Sequence, residues 1–146
     1  MYTLRPATDQ DFEFVFRLNE ANMRPYIERL RGWQEADERC KMKLLFRPHL
    51  DRIVLVDGVE GGVLSTVHRG NYIGIRHLEL LPSLQRRGIG SALIHAVLEE
   101  ARGVNVPVVL TVLKGNPAKE WYERLGFSIR EEVDTGLTGI KYRMST

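Results

Sequence analysis

The sequence has one cysteine, no long apolar run and little net charge. Cys40 alone excludes an internal disulfide and fits a reducing compartment. No stretch approaches the ~20 apolar residues that a membrane helix needs, and the N-terminus lacks a signal-peptide core. The net charge of +2 is spread as mixed signs along the chain, which argues against a nucleic-acid partner. We therefore expect a cytoplasmic protein with neither a nucleic-acid nor a membrane partner.

Other scarce features exclude further classes of site. Histidine, cysteine and acidic residues show no cluster with the spacing of metal ligands, so we expect no metal. Cys40 lies in a charged helical stretch without a nearby histidine, which favours a filling role over that of a nucleophile. The composition, 43% hydrophobic and 27% charged, is typical of a globular protein, and 146 residues suit a single domain over residues 1–146.

The apolar periodicity predicts a strand, two helices, three strands, a helix, a strand, a helix and two strands. This order indicates an α/β fold with a mixed, mostly antiparallel central sheet and helices on both faces. Thr8 or Asp9 is predicted to cap the first helix, whereas residues 22–32 are predicted to be irregular. The predicted segments after the first helix are residues 34–46, 53–56, 62–67, 72–81, 89–101, 106–113, 116–125, 127–133 and 139–144.

One glycine-rich turn joins a strand to a helix. It reads Gln85-Arg86-Arg87-Gly88-Ile89-Gly90-Ser91 and precedes the apolar helical pattern. Glycines let the backbone approach a ligand, and a helix N-terminus offers free N–H groups and positive potential. The turn therefore suits a phosphate group, although a plain glycine-rich connection with solvated arginines is the alternative.

Two common phosphate motifs do not fit this turn. A dinucleotide fingerprint would need a third glycine where Leu93 stands, and it would need a preceding βαβ unit. A Walker A loop would need Gly-Lys-Ser/Thr after its glycines, and the sequence has none.

Two blocks of residues together resemble a known family. The segment from Gln85 to Gly90 resembles the Gln/Arg-x-x-Gly-x-Gly/Ala signature of the GNAT superfamily of acetyl-CoA-dependent N-acetyltransferases. The block Asn116-Pro117-Ala118-Lys119-Glu120-Trp121-Tyr122-Glu123-Arg124-Leu125-Gly126-Phe127 resembles that family's Asn…Ala…Tyr-Glu-Lys/Arg-Leu-Gly-Phe block. The spacing of the blocks and the element order also match, so the resemblance covers nearly the whole chain.

The resemblance implies a donor site for acetyl-CoA. The coenzyme diphosphate would lie on the loop, and the pantetheine arm would pair with the preceding strand beside a slot that opens toward the next one. A backbone N–H near Leu80 would polarise the thioester carbonyl. The implied coenzyme-binding residues are Leu78, Glu79, Leu80, Gln85, Arg86, Arg87, Gly88, Ile89, Gly90, Ser91 and Asn116.

The resemblance also implies the chemistry. Tyr122 matches the tyrosine that gives a proton to the departing thiolate, with a core aromatic as the alternative. Glu79 is the favoured general base, and a paired carboxylate is its alternative reading. His77 shares the face of Glu79 by strand period, with a structural role favoured. Further candidates for the base are Glu35, Asp37 and Glu38.

These implications predict an enzyme that moves an acetyl group to a primary amine by direct attack in a ternary complex. The acceptor would be a small-molecule or peptide amine, selected by the N-terminal half around Tyr26 and Trp33, where plain packing of two helices is the alternative. A non-catalytic acyl-CoA-binding or sensing module, or a structural α/β domain, remains the rival interpretation. A homodimer stays open, since many family members dimerise and the C-terminal hairpin offers an edge.

Overall fold

The computed structural model describes residues 1–136 and 139–146, and its elements follow the predicted order. The strands are β1 (Tyr2–Pro6), β2 (Asp51–Val56), β3 (Val59–His68), β4 (Ile73–Leu80), β5 (Val108–Leu113), β6 (Ser128–Asp134) and β7 (Ile140–Ser145). The helices are α1 (Phe12–Arg31), α2 (Glu35–Leu45), α3 (Ile89–Gly103) and α4 (Ala118–Arg124). The predicted pattern of strands and helices is therefore confirmed.

The strands form a seven-stranded sheet in the order β1-β2-β3-β4-β5-β7-β6. The pairs β1/β2, β2/β3, β5/β7 and β6/β7 are antiparallel, whereas β4 pairs with β5 in parallel. The parallel register sets Ile73 opposite Val108 and Ile75 opposite Leu110. The mixed, mostly antiparallel sheet that the sequence predicted is confirmed.

The chain divides into two compact units. The first comprises Met1–Ser65 and His77–Gly90, and the second comprises Thr66–Arg76 and Ser91–Thr146. The first unit holds β1, α1, α2, β2 and the strand end that leads into the glycine-rich loop. The second holds most of α3 and the elements from β5 to β7. That the whole chain acts as one domain stays a prediction.

Two apolar clusters form the core of the first unit. In one, Val15 and Leu18 of α1 pack with Ile53 and Val63 of the strands. In the other, the members are Phe12, Phe16, Ile27 and Trp33. Both clusters use the apolar face of α1, so burial on this face fixes the helix against its own unit.

The second unit buries one face of α3 and most of β5. Leu93, Ile94 and Val97 recur at helical spacing and are each at most 2% exposed. In β5, only Thr111 is fully exposed, which agrees with the nearly continuous apolar sequence of this strand. The sequence pattern thus predicted which faces of these two elements are buried.

One prediction about local structure is wrong. Residues 22–32 are not irregular, because α1 continues through Pro25 as far as Arg31. Proline removes one helical hydrogen bond and typically costs about 3 kcal/mol. Here Pro25 and the Ala21 carbonyl region are exposed, so water can satisfy the acceptor that proline leaves open. Burial of Ile27, two residues further on, then holds the helix together.

A short 3-10 turn, Asp9–Asp11, leads directly into α1, and Thr8, which was predicted to cap the first helix, caps this turn instead. Thr8 accepts from the N–H of Gln10, and the carboxylate of Asp11 accepts from the N–H of Thr8 at 2.8 Å. The guanidinium of Arg5 donates to both oxygens of Asp11, at 2.8 and 2.9 Å. This contact and the Thr8 N–H hold the pKa of Asp11 below its usual value. α1 thus begins directly after Asp11, whose carboxylate bonds Arg5 and Thr8 and makes no capping hydrogen bond to α1 itself.

Candidate functional site

The loop between β4 and α3 has an unusual backbone. Arg86 has φ +61° and Gly88 has φ +84°, and α3 begins at Ile89 directly afterwards. An added Cβ on Gly88 would meet no atom within 4 Å, so glycine is favoured there by backbone conformation and not by crowding. The left-handed Arg86 costs roughly 1–2 kcal/mol. The loop therefore takes a specific path into the helix N-terminus.

The two loop arginines carry uncompensated charge. Arg86 and Arg87 are both exposed, and in the part of the chain that the structure describes neither forms an ion pair. By contrast, Arg17, Arg24 and Arg39 each bond carboxylates. Two free guanidinium groups beside the first turn of a fifteen-residue helix suit an anionic ligand.

Gln85, the first residue of the glycine-rich segment Gln85–Ser91, points back to its own unit. Its Nε2 atom donates to Oδ1 of Asn22 at 2.8 Å and to the carbonyl of Leu80 at 3.0 Å. Nδ2 of Asn22 donates to the same carbonyl at 2.9 Å. The side chain of Gln85 thereby ties the loop to the end of β4 and to α1.

The end of β4 lies very close to β3. A Cβ on Gly62 would come 2.4 Å from the carbonyl oxygen of Glu79, a distance that forces something to move. The N–H of Leu81 donates to the carbonyl of Gly61 at 2.8 Å. The paired glycines thus let the backbone of the predicted coenzyme strand approach its neighbour.

Glu79 is the carboxyl group with the most unusual environment. Burial raises the pKa of Glu79 to about 7, and contacts with Asn19 and Asn22 oppose this rise. Nδ2 of Asn19 donates to Oε1 at 3.2 Å, whereas Oε2 is buried without a hydrogen-bond partner among the described residues. Glu79 as a whole residue remains partly exposed, so the desolvation falls on its carboxylate oxygens. Such a group can exchange a proton near neutral pH.

The other acidic candidates for the base are less suitable. Glu35 is exposed and contacts Arg17 and then Arg39, and these contacts lower its pKa. Both carboxylate oxygens of Glu38 accept from the guanidinium of Arg31, at 3.0 and 3.2 Å. Asp37 is exposed on α2, and His77 lies half-buried on β4. The buried carboxylate of Glu79, with its raised pKa, is therefore the best suited of the candidates for the base.

Of the two acceptor-side residues named from the sequence, Trp33 is a core residue, whereas Tyr26 is half-buried with Arg29 over its ring at 5.1 Å. Trp33 is 9% exposed and packs against Phe16 in the second cluster, with Arg24 over its ring at 5.6 Å. A surface depression beside Pro25 is lined by Arg17, Glu20, Ala21, Arg24 and Glu28, whose charges pair with one another. Packing of two helices thus accounts for Trp33.

The second motif block folds as a short helix with a tight end. Tyr122 is buried on α4, where its ring lies 4.9 Å from Trp121 and 5.7 Å from Phe127. The carbonyl of Tyr122 accepts from the N–H of Phe127, and Gly126 between them has φ +104°. Asn116 accepts from the N–H of Ala118 at 2.9 Å, so its side chain caps α4.

Asn19 and Asn22 were not singled out from the sequence. Their spacing of three places both amides on one side of α1, next to buried Leu18. This spacing could have been recognised from the sequence, but the chain was predicted to be irregular from residue 22, so Asn22 was not assigned to the helix of Asn19. Their partners, Glu79 and Leu80, lie about sixty residues away, and no local pattern reports such a contact.

Within residues 1–136 and 139–146, no group of three histidine, cysteine or acidic side chains is placed to hold a metal ion. In the same residues, no helix is long and apolar enough to cross a membrane. Cys40 is exposed on α2, so it fills no core space.

A sequence model of the acetyltransferase (GNAT) family matches residues 12–127, which is most of the chain. Both blocks named above, the loop and the α4 segment, lie inside the matched range. Among curated proteins, none matches this sequence significantly.

Solved structures share the fold over nearly the full chain. PaiA N-acetyltransferase from Thermoplasma acidophilum, in complex with coenzyme A, has a TM-score of 0.74 at 15% identity, covering 100% of this chain and 98% of its own. Ard1 from Thermoplasma volcanium has a TM-score of 0.69 at 22% identity, and the match covers 99% of this chain and 96% of Ard1. Arabidopsis thaliana Naa50, in complex with the bisubstrate analogue CoA-Ac-MVNAL, has a TM-score of 0.67 at 17% identity. The match covers 99% of this chain and 97% of Naa50. These likenesses establish the fold.

Proposed function

Since the chain belongs to the GNAT family of acetyltransferases, we propose that it moves the acetyl group of acetyl-CoA to a primary amine. The amine attacks the thioester directly, in a complex that holds both substrates. The observation that carries the donor side is the pair of unpaired arginines, Arg86 and Arg87, at the start of α3. Further support comes from PaiA, a protein of the same fold that binds coenzyme A.

On the donor side, Arg86 and Arg87 with the N–H groups of Gly88, Ile89, Gly90 and Ser91 bind the diphosphate. The positive φ of Gly88 turns the backbone toward the helix N-terminus, where such groups favour an anion. The backbone of Leu78, Glu79 and Leu80 pairs with the pantetheine arm, and Asn116 makes a further coenzyme contact. A bound diphosphate would neutralise the positive charge of Arg86 and Arg87, which form no ion pair within the described part of the chain.

In the chemical step, Glu79 takes one proton from the acceptor ammonium. The free amine then attacks the acetyl carbon, which forms the C–N bond and places negative charge on the carbonyl oxygen. A backbone N–H near Leu80 stabilises that oxyanion. As the C–S bond breaks, Tyr122 protonates the thiolate, and the second proton lost by the nitrogen balances the one that Tyr122 gave.

The acceptor is proposed only as a class, a small-molecule or peptide amine. Naa50, a protein of the same fold, was solved with a bisubstrate analogue that includes the peptide sequence MVNAL, so peptide N-termini belong in the first panel of acceptors. Polyamines and lysine-containing peptides complete that panel, because each presents a primary amine.

The donor assignment is tested first by calorimetry with coenzyme A. We expect the wild-type chain to bind, and we expect the double variant Arg86→Ala, Arg87→Ala to bind at least about tenfold more weakly, since hydrogen bonds to charged groups typically contribute 1.5–3 kcal/mol. The control is Arg102→Ala, which removes one positive charge from the far end of α3 and should bind as the wild type does. Absence of wild-type binding at millimolar coenzyme A would refute the enzyme assignment.

Turnover is tested by release of coenzyme A from acetyl-CoA with the amine panel. Catalysis predicts release with at least one amine and a reduced kcat in Tyr122→Phe. Tight binding of acetyl-CoA without turnover on any amine would instead support the non-catalytic binding module.

A further inference from the structure

The peptide group between Leu80 and Leu81 is held by three hydrogen bonds. Its carbonyl oxygen accepts from Asn22 at 2.9 Å and from Gln85 at 3.0 Å. Its N–H donates to the carbonyl of Gly61 at 2.8 Å. Both lone pairs of the oxygen and the single proton of the nitrogen are therefore used, and the plane of this peptide is fixed.

The two side-chain amides are also bonded to each other. Nε2 of Gln85 donates to Oδ1 of Asn22 at 2.8 Å, which closes a three-membered ring of hydrogen bonds with the Leu80 carbonyl. Because that carbonyl can only accept, both amides must turn their nitrogen toward it, and the orientation of each amide follows. A carboxylate at either position would bring a negative oxygen to the carbonyl without a proton to share.

We propose that Asn22 and Gln85 act as one positioning pair that sets the path of the coenzyme loop where it leaves β4. Gln85 begins the glycine-rich segment of the loop, Leu80 ends the strand that carries Glu79, and Asn22 belongs to α1. Gln85 therefore supports coenzyme binding through the backbone, not by touching the ligand. This inference rests on the proposed function, and it adds a residue on α1 to the donor site.

The ring requires that the two residues act as a unit. Asn22→Leu and Gln85→Leu should each weaken coenzyme A binding by about five- to twentyfold. The double variant should lose no more than the worse single variant, because either change already opens the ring. KM for acetyl-CoA should rise in the same proportion, with kcat changed less. Circular dichroism and thermal unfolding show that each variant is folded before its binding is measured.

A charge variant separates this ring from a general loss of packing. Gln85→Glu cannot donate when ionised, but it regains one donor when protonated. Its affinity for coenzyme A should recover, relative to the wild type, as pH falls from about 6 to about 4, through the ordinary glutamate pKa of about 4.3. Gln10→Glu adds the same charge at an exposed glutamine of the same unit and should follow the wild type. Glu79 is present in the wild type, in Gln85→Glu and in Gln10→Glu. The binding curves of the wild type and of Gln10→Glu against pH therefore show the contribution of Glu79, which is subtracted from the curve of Gln85→Glu.

Hydrogen exchange tests the ring without any ligand. Exchange of the Leu81 amide and of the loop amides should speed up in Asn22→Leu and Gln85→Leu, and should be unchanged in Gln10→Glu. Wild-type affinity in both leucine variants would overturn the inference and leave the proposed function standing. Loss of binding in Gln85→Leu with wild-type binding in Asn22→Leu would show that Gln85 is a direct ligand, and would also overturn it. A wild-type chain that binds no coenzyme A would instead refute the proposed function.

Discussion

Nδ2 of Asn19 lies 3.2 Å from Oε1 of Glu79, although the two residues are sixty positions apart in sequence. This contact joins α1 to the strand that precedes the glycine-rich loop. It places one neutral donor on a carboxylate whose other oxygen is buried and unbonded among the described residues. The protonation of Glu79 therefore depends on a balance between burial, which favours the acid, and amide donors, which favour the anion.

The rate of acetyl transfer should rise with pH through the pKa of Glu79, about 7. Only the ionised carboxylate can accept a proton, so the acid limb of kcat/KM should lie near that value. Glu79→Gln should lower kcat/KM by about 10²–10⁴-fold, the usual contribution of a general base, and remove the limb. The pH profile in steady-state kinetics provides the measurement. An unchanged limb in the glutamine variant would assign the base elsewhere.

Asn19→Ala should move the acid limb to higher pH. The amide of Asn19 stabilises the carboxylate form, and its removal leaves burial less opposed, so the pKa of Glu79 rises further. Asn71→Ala, at an exposed asparagine in a turn, is the matched control and should keep the wild-type limb. A limb that stays in place while the maximal rate falls would show that Asn19 has only a structural role.

Glu79→Gln should also make the protein more stable above neutral pH. Burial holds the pKa of Glu79 in the folded state above its usual value of 4.5, so its stabilising contribution is complete below pH 4.5 and is lost as pH rises through about 7. The difference between the two pKa values corresponds to at most about 3 kcal/mol of unfolding free energy at pH 8. The difference in unfolding free energy between variant and wild type should therefore grow from near zero at pH 4.5. Urea unfolding at several pH values measures it, and a constant difference would contradict the linkage.

Gly62→Ala should destabilise the fold by about 1–3 kcal/mol, the usual cost of forcing extra atoms into a packed site. The new Cβ would sit 2.4 Å from the carbonyl oxygen of Glu79 and 2.7 Å from Cδ2 of Leu80. Gly70→Ala is the control, because its Cβ would meet nothing within 4 Å. Equal urea midpoints for the two variants would show that β3 and β4 can separate without cost.

Gly88→Ala should weaken coenzyme A binding while lowering stability by only about 1 kcal/mol. The space around Gly88 is open, but its φ of +84° disfavours a side chain and should shift the loop toward another path. Gly103→Ala, at the other end of α3, has neither a positive φ nor a close neighbour and should bind normally. Calorimetry on both variants distinguishes a change of loop path from a change in the helix.

The sequence predicted the elements whose signals are local. Periodicity found α3 and its buried face, and the polar pattern before Phe12 found the cap at Thr8. The Gln85 loop was recognised from its glycines between a strand and a helix, and both it and the Tyr122 block were recognised from their resemblance to contiguous family motifs. These features need no knowledge of distant parts of the chain.

The features that the sequence did not predict depend on contacts between residues far apart in the chain. Proline predicted an irregular segment at Pro25, but burial of Ile27 and Trp33 overrides that local preference. The inward turn of Gln85 depends on an amide from α1, sixty-three positions earlier. The raised pKa of Glu79 likewise results from burial produced by several elements together.

The ring of hydrogen bonds at Leu80 has a consequence for protein engineering. A designer who grafts the glycine-rich loop onto another scaffold would transfer Gln85 but leave Asn22 behind, because it lies on a different helix. The graft would then expose two amide hydrogens and a carbonyl to whatever surrounds them. A transplant that carries the asparagine at an equivalent helix position should retain anion affinity, so the portable unit is the loop together with one residue from α1.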